Sequence, residues 1–185
     1  AEVLSLFQPG LEAFRSQLPA MLSAADRETF AATAAGLVAK GVPAELAREM
    51  ASLDALYAVL DATEVARETG RPLEVVAQVY FALAGDLELR WFGERITALP
   101  TDTPWQALAR NALRDDLASQ QRALATAVAR PGEGGDNPAA LIAAGKERQA
   151  PAIARLAAMR EELKRAGSID LAVLSVLLRE LRSLA

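Results

Sequence analysis

Residues Pro72 to Ala84 read PLEVVAQVYFALA, and between Leu73 and Ala84 only Glu74 and Gln78 are strongly polar. Those two sit four apart, on one side of a helix. Leu73, Val75, Val76, Val79, Tyr80 and Leu83 form a broad apolar face, while Phe81 is expected to point outward on the far side. A helix that is apolar nearly all round is enclosed by other helices rather than laid on a surface. The stretch is therefore the expected hub of an all-helical domain, with Val76 and Val79 buried in it.

Working outward, the 185 residues suit one domain spanning 1–185, large enough to bury roughly 70% of its unfolded surface without covalent staples. Alanine occurs 41 times, favouring helices and letting them pack closely. Aromatic residues make up only 5%, so Leu, Val and Ala must build the core. No period-2 alternation or internal repeat is visible. The fold class that follows is all-α, an irregular multi-helix bundle of about eight or nine helices with no sheet.

Cysteine is absent, which removes disulfide and thiol chemistry and fits a cytoplasmic chain. Histidine is absent too, and with it the commonest general base and metal ligand. The net charge of −4 argues against nucleic acid or an anionic membrane as partner. Residues 138 to 185 carry 8 Lys and Arg against 5 Asp and Glu, a mild basic bias that reads as a solvated helix face. No apolar run approaches the ~18 residues of a membrane span, and no secretory signal is visible. The chain opens on Ala1, which fits a fragment or a processed chain.

In chain order, Phe7, Leu11, Phe14 and Leu18 recur at helical spacing, and Pro19 ends or kinks that element. Ser23 with Asp26 reads as the next helix start, continuing through Phe30, Ala34, Leu37 and Val38 to a stop at Gly41. Pro43 opens a run through Leu53, Leu56, Leu60 and Val65 to about Glu68, and Gly70 and Pro72 punctuate the turn into the hub. Helix, short Gly turn, helix also describes a DNA-reading corner. Yet residues 72 to 86 contain no Lys or Arg, so an ordinary helical corner is the better reading.

Leu89, Phe92, Ile96 and Leu99 follow on a shorter helix, with Trp91 off their face and Pro100 closing it. Thr103-Pro104 starts the expected longest helix, to about Ala129. PGEGGDN then makes an internal loop over 130–137. Its Gly132-x-Gly134 resembles the start of a dinucleotide fingerprint, but Asn137 stands where the third glycine belongs and no strand precedes it. Asn137-Pro138 caps a further run, expected to break around Gly145 and Pro151 and to resume through Ile153, Leu156, Met159 and Leu163. Gly167-Ser168 breaks it again before a last helix, IDLAVLSVLLRELRSL.

Chemistry is thinly supplied. Asp115-Asp116 would begin a Mg²⁺-binding aspartate motif, but Ser119 occupies the third carboxylate position. Di-metal bundles and Ser-His or Cys-His nucleophiles all require the missing histidine. Trp91 and Trp105 flank the Pro100 turn and read as packing residues before ligand stackers. Lys40, Lys146 and Lys164 lie near helix ends or loops, where water or the helix dipole suits them. No catalytic, cofactor-binding or metal-binding residue is assigned.

One acidic group asks for a partner. Trp105, Ala109, Ala112, Leu113, Ala123, Leu124 and Ala127 share a helix face, and Asp116 falls near its middle with Gln120 beside it. A carboxylate on a buried stripe is expected to pair with another helix, with Tyr80, Arg67, Arg90 and the Trp91 indole as candidates. The competing reading is that the stripe opens to solvent there.

Four strings belong together as a set: GVPAELAREMASLDALYAVLD, EVARETGRPLEVVAQVYFALAGDLELRWFGERITALP, WQALARNALRDDLASQQRALA and LAVLSVLLRELRSLA. In order and spacing they resemble the extreme C-terminal region of the large bacterial NAD-specific glutamate dehydrogenases, best over residues 40 to 129 and 170 to 184. The resemblance implies a parent enzyme that oxidises L-glutamate to 2-oxoglutarate and ammonia with NAD as hydride acceptor. Catalytic groups and the NAD fold of that family belong to a central region that nothing here matches. The implied role is a C-terminal accessory domain, structural, assembly-related or regulatory, itself inactive and without a cofactor. Its implied partner is the catalytic region of the same polypeptide or a neighbouring subunit, in a homo-oligomer. Composition alone leaves open a free-standing helical interaction or adaptor protein.

Overall fold

The computed structural model describes residues 24–130, 135–166 and 170–185, without the side chains of 24–26 and 53–56. The expected element through Phe7, Leu11, Phe14 and Leu18, the Ser23 start, Gly132-x-Gly134 and the Gly167-Ser168 break lie outside the described residues. Within them stand eight helices: α1 (Ala24–Ala39), α2 (Ala44–Thr69), α3 (Leu73–Asp86), α4 (Leu89–Thr97), α5 (Pro104–Val128), α6 (Pro138–Arg148), α7 (Ala150–Ala166) and α8 (Leu171–Arg182). No strand occurs among the described residues. The all-helical reading holds, with α2 at 26 residues one longer than α5 at 25.

Local chemistry fixes the helix ends. Thr103 and Gln106 form a capping box at the start of α5, where Pro104 needs no hydrogen-bond partner. Asn137 accepts from the Ala140 N–H at 3.3 Å and Asp170 from the Val173 N–H at 2.9 Å, starting α6 and α8. Gly70 takes the left-handed conformation at φ 69° to stop α2. The expected break at Gly145 is absent: α6 runs through it to Arg148, and the chain turns at Gln149 instead. The physical reason is contact. A Cβ on Gly145 would lie 2.7 Å from Cγ2 of Val128, so the missing side chain lets α6 press against the end of α5. Pro151, the second residue of α7, is placed where a helix tolerates proline.

Two apolar clusters meet on α3. Val75, Val79 and Leu83 face Phe92 and Ile96 of α4, Leu113 and Leu124 of α5, Leu141 of α6, Leu156 of α7 and the Leu174, Leu177 and Leu181 stripe of α8. Val76, Ala77, Tyr80 and Phe81 face Val59, Ala62 and Val65 of α2, with Ala125 and Ala129 from the end of α5. Val76 and Val79 are fully buried, as a hub requires. Phe81 corrects the sequence reading: it is 8% exposed, not outward. A single helical wheel assumes one core, whereas α2 supplies a second on the opposite side. Each such side chain contributes about 1.5–3 kcal/mol of hydrophobic stabilisation, so two-sided burial makes α3 the best anchored element.

Candidate functional site

Polar side chains are used first to tie helices together. Asp61 of α2 accepts from the Tyr80 hydroxyl at 3.0 Å, and Arg122 of α5 pairs with Asp61 at 3.6 Å and Glu64 at 2.9 Å. Burial, then the Asp61 carboxylate beside it, holds the Tyr80 hydroxyl above the ordinary tyrosine range. Buried and donating to Asp61, the hydroxyl ties α3 to α2.

A second tie is Arg71, just before α3. Its Nε donates to the Ala129 carbonyl at 2.6 Å and Nη2 to the Arg130 carbonyl at 2.8 Å, while Nη1 reaches the Gly135 carbonyl and Asp136. One guanidinium thus caps α5 and fixes both described edges of the 130–137 loop.

The third tie lies at the α3–α4 corner, where Glu88 is the only described non-glycine residue with positive φ, at 51°. Arg160 of α7 is buried there, donating to the Leu87 carbonyl at 3.1 Å and pairing with Glu88 at 2.7 Å. Lys164 joins at 2.9 Å from Glu88 and 2.8 Å from Glu161. Its hydrogen bonds to Glu161, then Glu88, raise the Lys164 pKa, and that to Lys164 lowers Glu161. The corner costs about 1–3 kcal/mol of backbone strain, and Arg160 offsets it by pinning the turn to α7. Nothing in the spacing of the sequence links Arg71 or Arg160 to partners 58 or 73 positions away.

Asp116 overturns its expectation. Its side chain is 51% exposed and meets Arg182 of α8 at 3.8 Å, and none of the four candidate partners reaches it. Tyr80 is taken by Asp61, and Arg90 by Thr29 and Glu94. Trp91 stacks edge-on against Phe92 under Arg95, and Arg67 stays exposed on α2. The buried stripe of α5 runs instead through Leu113, Gln120, Leu124 and Val128. Gln120, treated only as a neighbour of Asp116, is the buried polar group. With its amide oxygen turned to Arg182 it accepts from Nε at 3.0 Å and Nη2 at 3.2 Å.

Asp115 and Ser119 are exposed with Asp116, and no group of three or more His, Cys, Asp or Glu able to hold a metal converges among the described residues. Lys146 pairs with Asp86 at 2.9 Å, so with Lys164 it ties helices together, and Lys40 is exposed. No described helix is long and apolar enough to cross a membrane.

The two tryptophans part company. Trp91 packs partly buried against the main core, as expected. Trp105 does not: in the first turn of α5 it is 78% exposed. Beside it opens a cavity of about 500 Å³, walled by Leu99, Pro100, Ala109, Leu171 and Trp105 itself, with Gln106 and Asp170 as its polar members. This apolar groove, between the starts of α5 and α8, is the described feature least explained by folding alone. It can receive a large apolar group, and its one carboxylate, Asp170, already accepts from the Val173 N–H as the cap of α8.

The family described as glutamate dehydrogenase, C-terminal, matches residues 1–183. Over 179 residues the chain is 38% identical to the NAD-specific glutamate dehydrogenase of Pseudomonas aeruginosa, covering 97% of this chain and 11% of that protein. The enzyme of the same name from Mycobacterium tuberculosis is 29% identical over the same shares of each chain. That of Halomonas elongata is 33% identical over 127 residues, 69% of this chain and 8% of that protein. The chain thus spans about a tenth of the length of the relatives it matches, all of it in the region that the family describes as C-terminal. It belongs to the glutamate dehydrogenase C-terminal family.

Proposed function

We propose that this helical domain is a non-catalytic accessory part of a cytoplasmic NAD-dependent glutamate dehydrogenase, serving its assembly or its regulation. The parent converts L-glutamate to 2-oxoglutarate and ammonia, passing hydride to NAD bound in another region. The observation that carries this reading is the disparity of coverage: 97% of this chain aligns with 11% of an NAD-specific glutamate dehydrogenase. It is supported by the use made of the described polar groups, which tie helices together. In this reading the domain docks on the catalytic region of its own polypeptide or of a neighbouring subunit within a homo-oligomer.

The test is deletion of residues 1–185 from the parent enzyme. Oligomeric state, or the response of the rate to substrate concentration, is expected to change. Unchanged kinetics, thermal stability and oligomeric state would refute the role. Calorimetric titration of the excised domain with NAD is expected to show no binding, and a micromolar affinity would place the cofactor here.

A further inference from the structure

We propose that the Trp105 groove is the surface by which this domain docks on the part of its own polypeptide that precedes it, receiving a segment with a large apolar side chain next to Lys or Arg. The inference rests on the reading of the domain as part of a longer enzyme, and it names the contact that the reading leaves open.

Single exposed apolar residues are ordinary on protein surfaces, but a contiguous set beside a hollow is not. Trp105 (78% exposed) and Leu171 (42%) line the cavity of about 500 Å³, and Leu108 (59%) stands one turn beyond Trp105 on α5. On α5, positions 105, 108, 109 and 112 lie on one side of the helix, so the apolar surface continues past the mouth of the hollow along Leu108 and Ala112. That extension suits a peptide better than a small molecule. The backbone turn that presents Trp105 is also fixed, by Pro104 and the Thr103–Gln106 capping box. Pre-organised aromatic side chains next to a pocket are the usual anchors of protein contacts.

Charge and size narrow the occupant. The one charged group among the described lining residues is Asp170, whose Oδ1 accepts from the Val173 N–H at 2.9 Å and which forms no ion pair among the described residues. A cation beside the entering apolar side chain would complete it. The patch is a handful of side chains, far short of the roughly 800 Å² per partner of a free two-protein interface. A tether changes that requirement, since a linked segment is present at an effective concentration in the millimolar range. The relatives are about nine times as long as the stretch matched here, which supplies the tethered partner.

The experiment places the photoreactive aromatic p-benzoylphenylalanine at position 105 of the full-length parent, so that a large ring remains in the groove, and maps the cross-linked peptides. The expected product runs at monomer mass and joins position 105 to a peptide preceding the domain, with an apolar residue beside Lys or Arg. Adding Leu108→Asp, an exposed position, is expected to lower its yield several-fold. Cross-links confined to residues 1–185, a product of dimer mass, or no product would each overturn the proposal. Failure of the two readings is separable. If deleting the domain alters assembly or kinetics while position 105 cross-links elsewhere, only the groove is wrong. If deletion alters nothing while the expected cross-link forms, only the accessory role is wrong.

Discussion

Helices α3 and α5 pack against each other, yet α3 buries two opposite faces along its length, whereas α5 buries one stripe and meets the second cluster only at its end, through Ala125 and Ala129. The difference lies in which residues surround each axis. In α3, large apolar side chains cover most of the circumference, so burial follows whatever the rotation of the helix. In α5, alanines stand on both exposed and buried positions and say little about which way the helix faces. Composition alone makes α3 a hub, whereas α5 can be oriented only by its neighbours.

Phe81→Ala tests the two-sided burial most severely. Removing that ring from the α2–α3 cluster is expected to cost about 3–5 kcal/mol, measured as a lower urea midpoint of the folded domain. A loss below about 1 kcal/mol would return Phe81 to the surface and leave α3 with one core.

The same contrast explains what the sequence made legible. Helix existence, the Gly70 and Pro104 boundaries, the Asn137 cap and the enclosure of Val76 and Val79 all follow from local signals, and local signals are printed in the chain. Phe81 was missed because its burial depends on α2 crossing the opposite side of α3, which no wheel of α3 contains. Gly145 was missed for a related reason: its break was inferred from propensity, and its use is a contact with Val128 from another helix. The groove was missed, because Trp105 reads as a packing residue on the α5 face and is instead exposed. Its hollow needs Leu171 and Asp170, which lie 66 and 65 positions after Trp105 in the chain.

Gly145→Ala probes the close approach of α6 to the end of α5. The added methyl gains helix propensity of up to about 1 kcal/mol, but it meets the stiff, buried Val128 side chain at 2.7 Å. Overpacking wins, and a net loss of about 2 kcal/mol is expected. Combined with Val128→Ala, the loss is expected to be less than the sum of the two single losses, because the second change makes room for the first. Additive urea midpoints would show that the two positions do not touch.

Tyr80→Phe asks how firmly α3 is tied to α2. Deleting the hydroxyl that Asp61 accepts at 3.0 Å is expected to cost about 1.5 kcal/mol near neutral pH. The sign of the pH effect follows from the raised pKa: the folded chain holds this proton more tightly than the unfolded chain. The stabilisation is therefore intact below about pH 10, where an ordinary tyrosine stays protonated, and is lost as the pH rises beyond it. Above that pH the wild-type domain should lose stability more steeply than Tyr80→Phe. Parallel curves would remove Tyr80 from the buried tie.

The smallest effects decide which face of α5 points inward. Asp116 is half-exposed and its Arg182 contact is long at 3.8 Å, a geometry that contributes between nothing and about 1 kcal/mol. Gln120 is buried, and its amide meets two nitrogens of Arg182. Gln120→Ala therefore loses a hydrogen-bonded group and its methylenes, for an expected cost of about 1–2 kcal/mol. Asp116→Ala and Asp115→Ala are each expected to stay within about 0.5 kcal/mol of wild type, as surface changes do. Equal urea midpoints for the two aspartate variants, with a lower one for Gln120→Ala, are the signature of a stripe centred on Leu113, Gln120 and Leu124. A large loss confined to Asp116→Ala would rotate α5 back to the face that its alanines suggest, and would leave Gln120 in water.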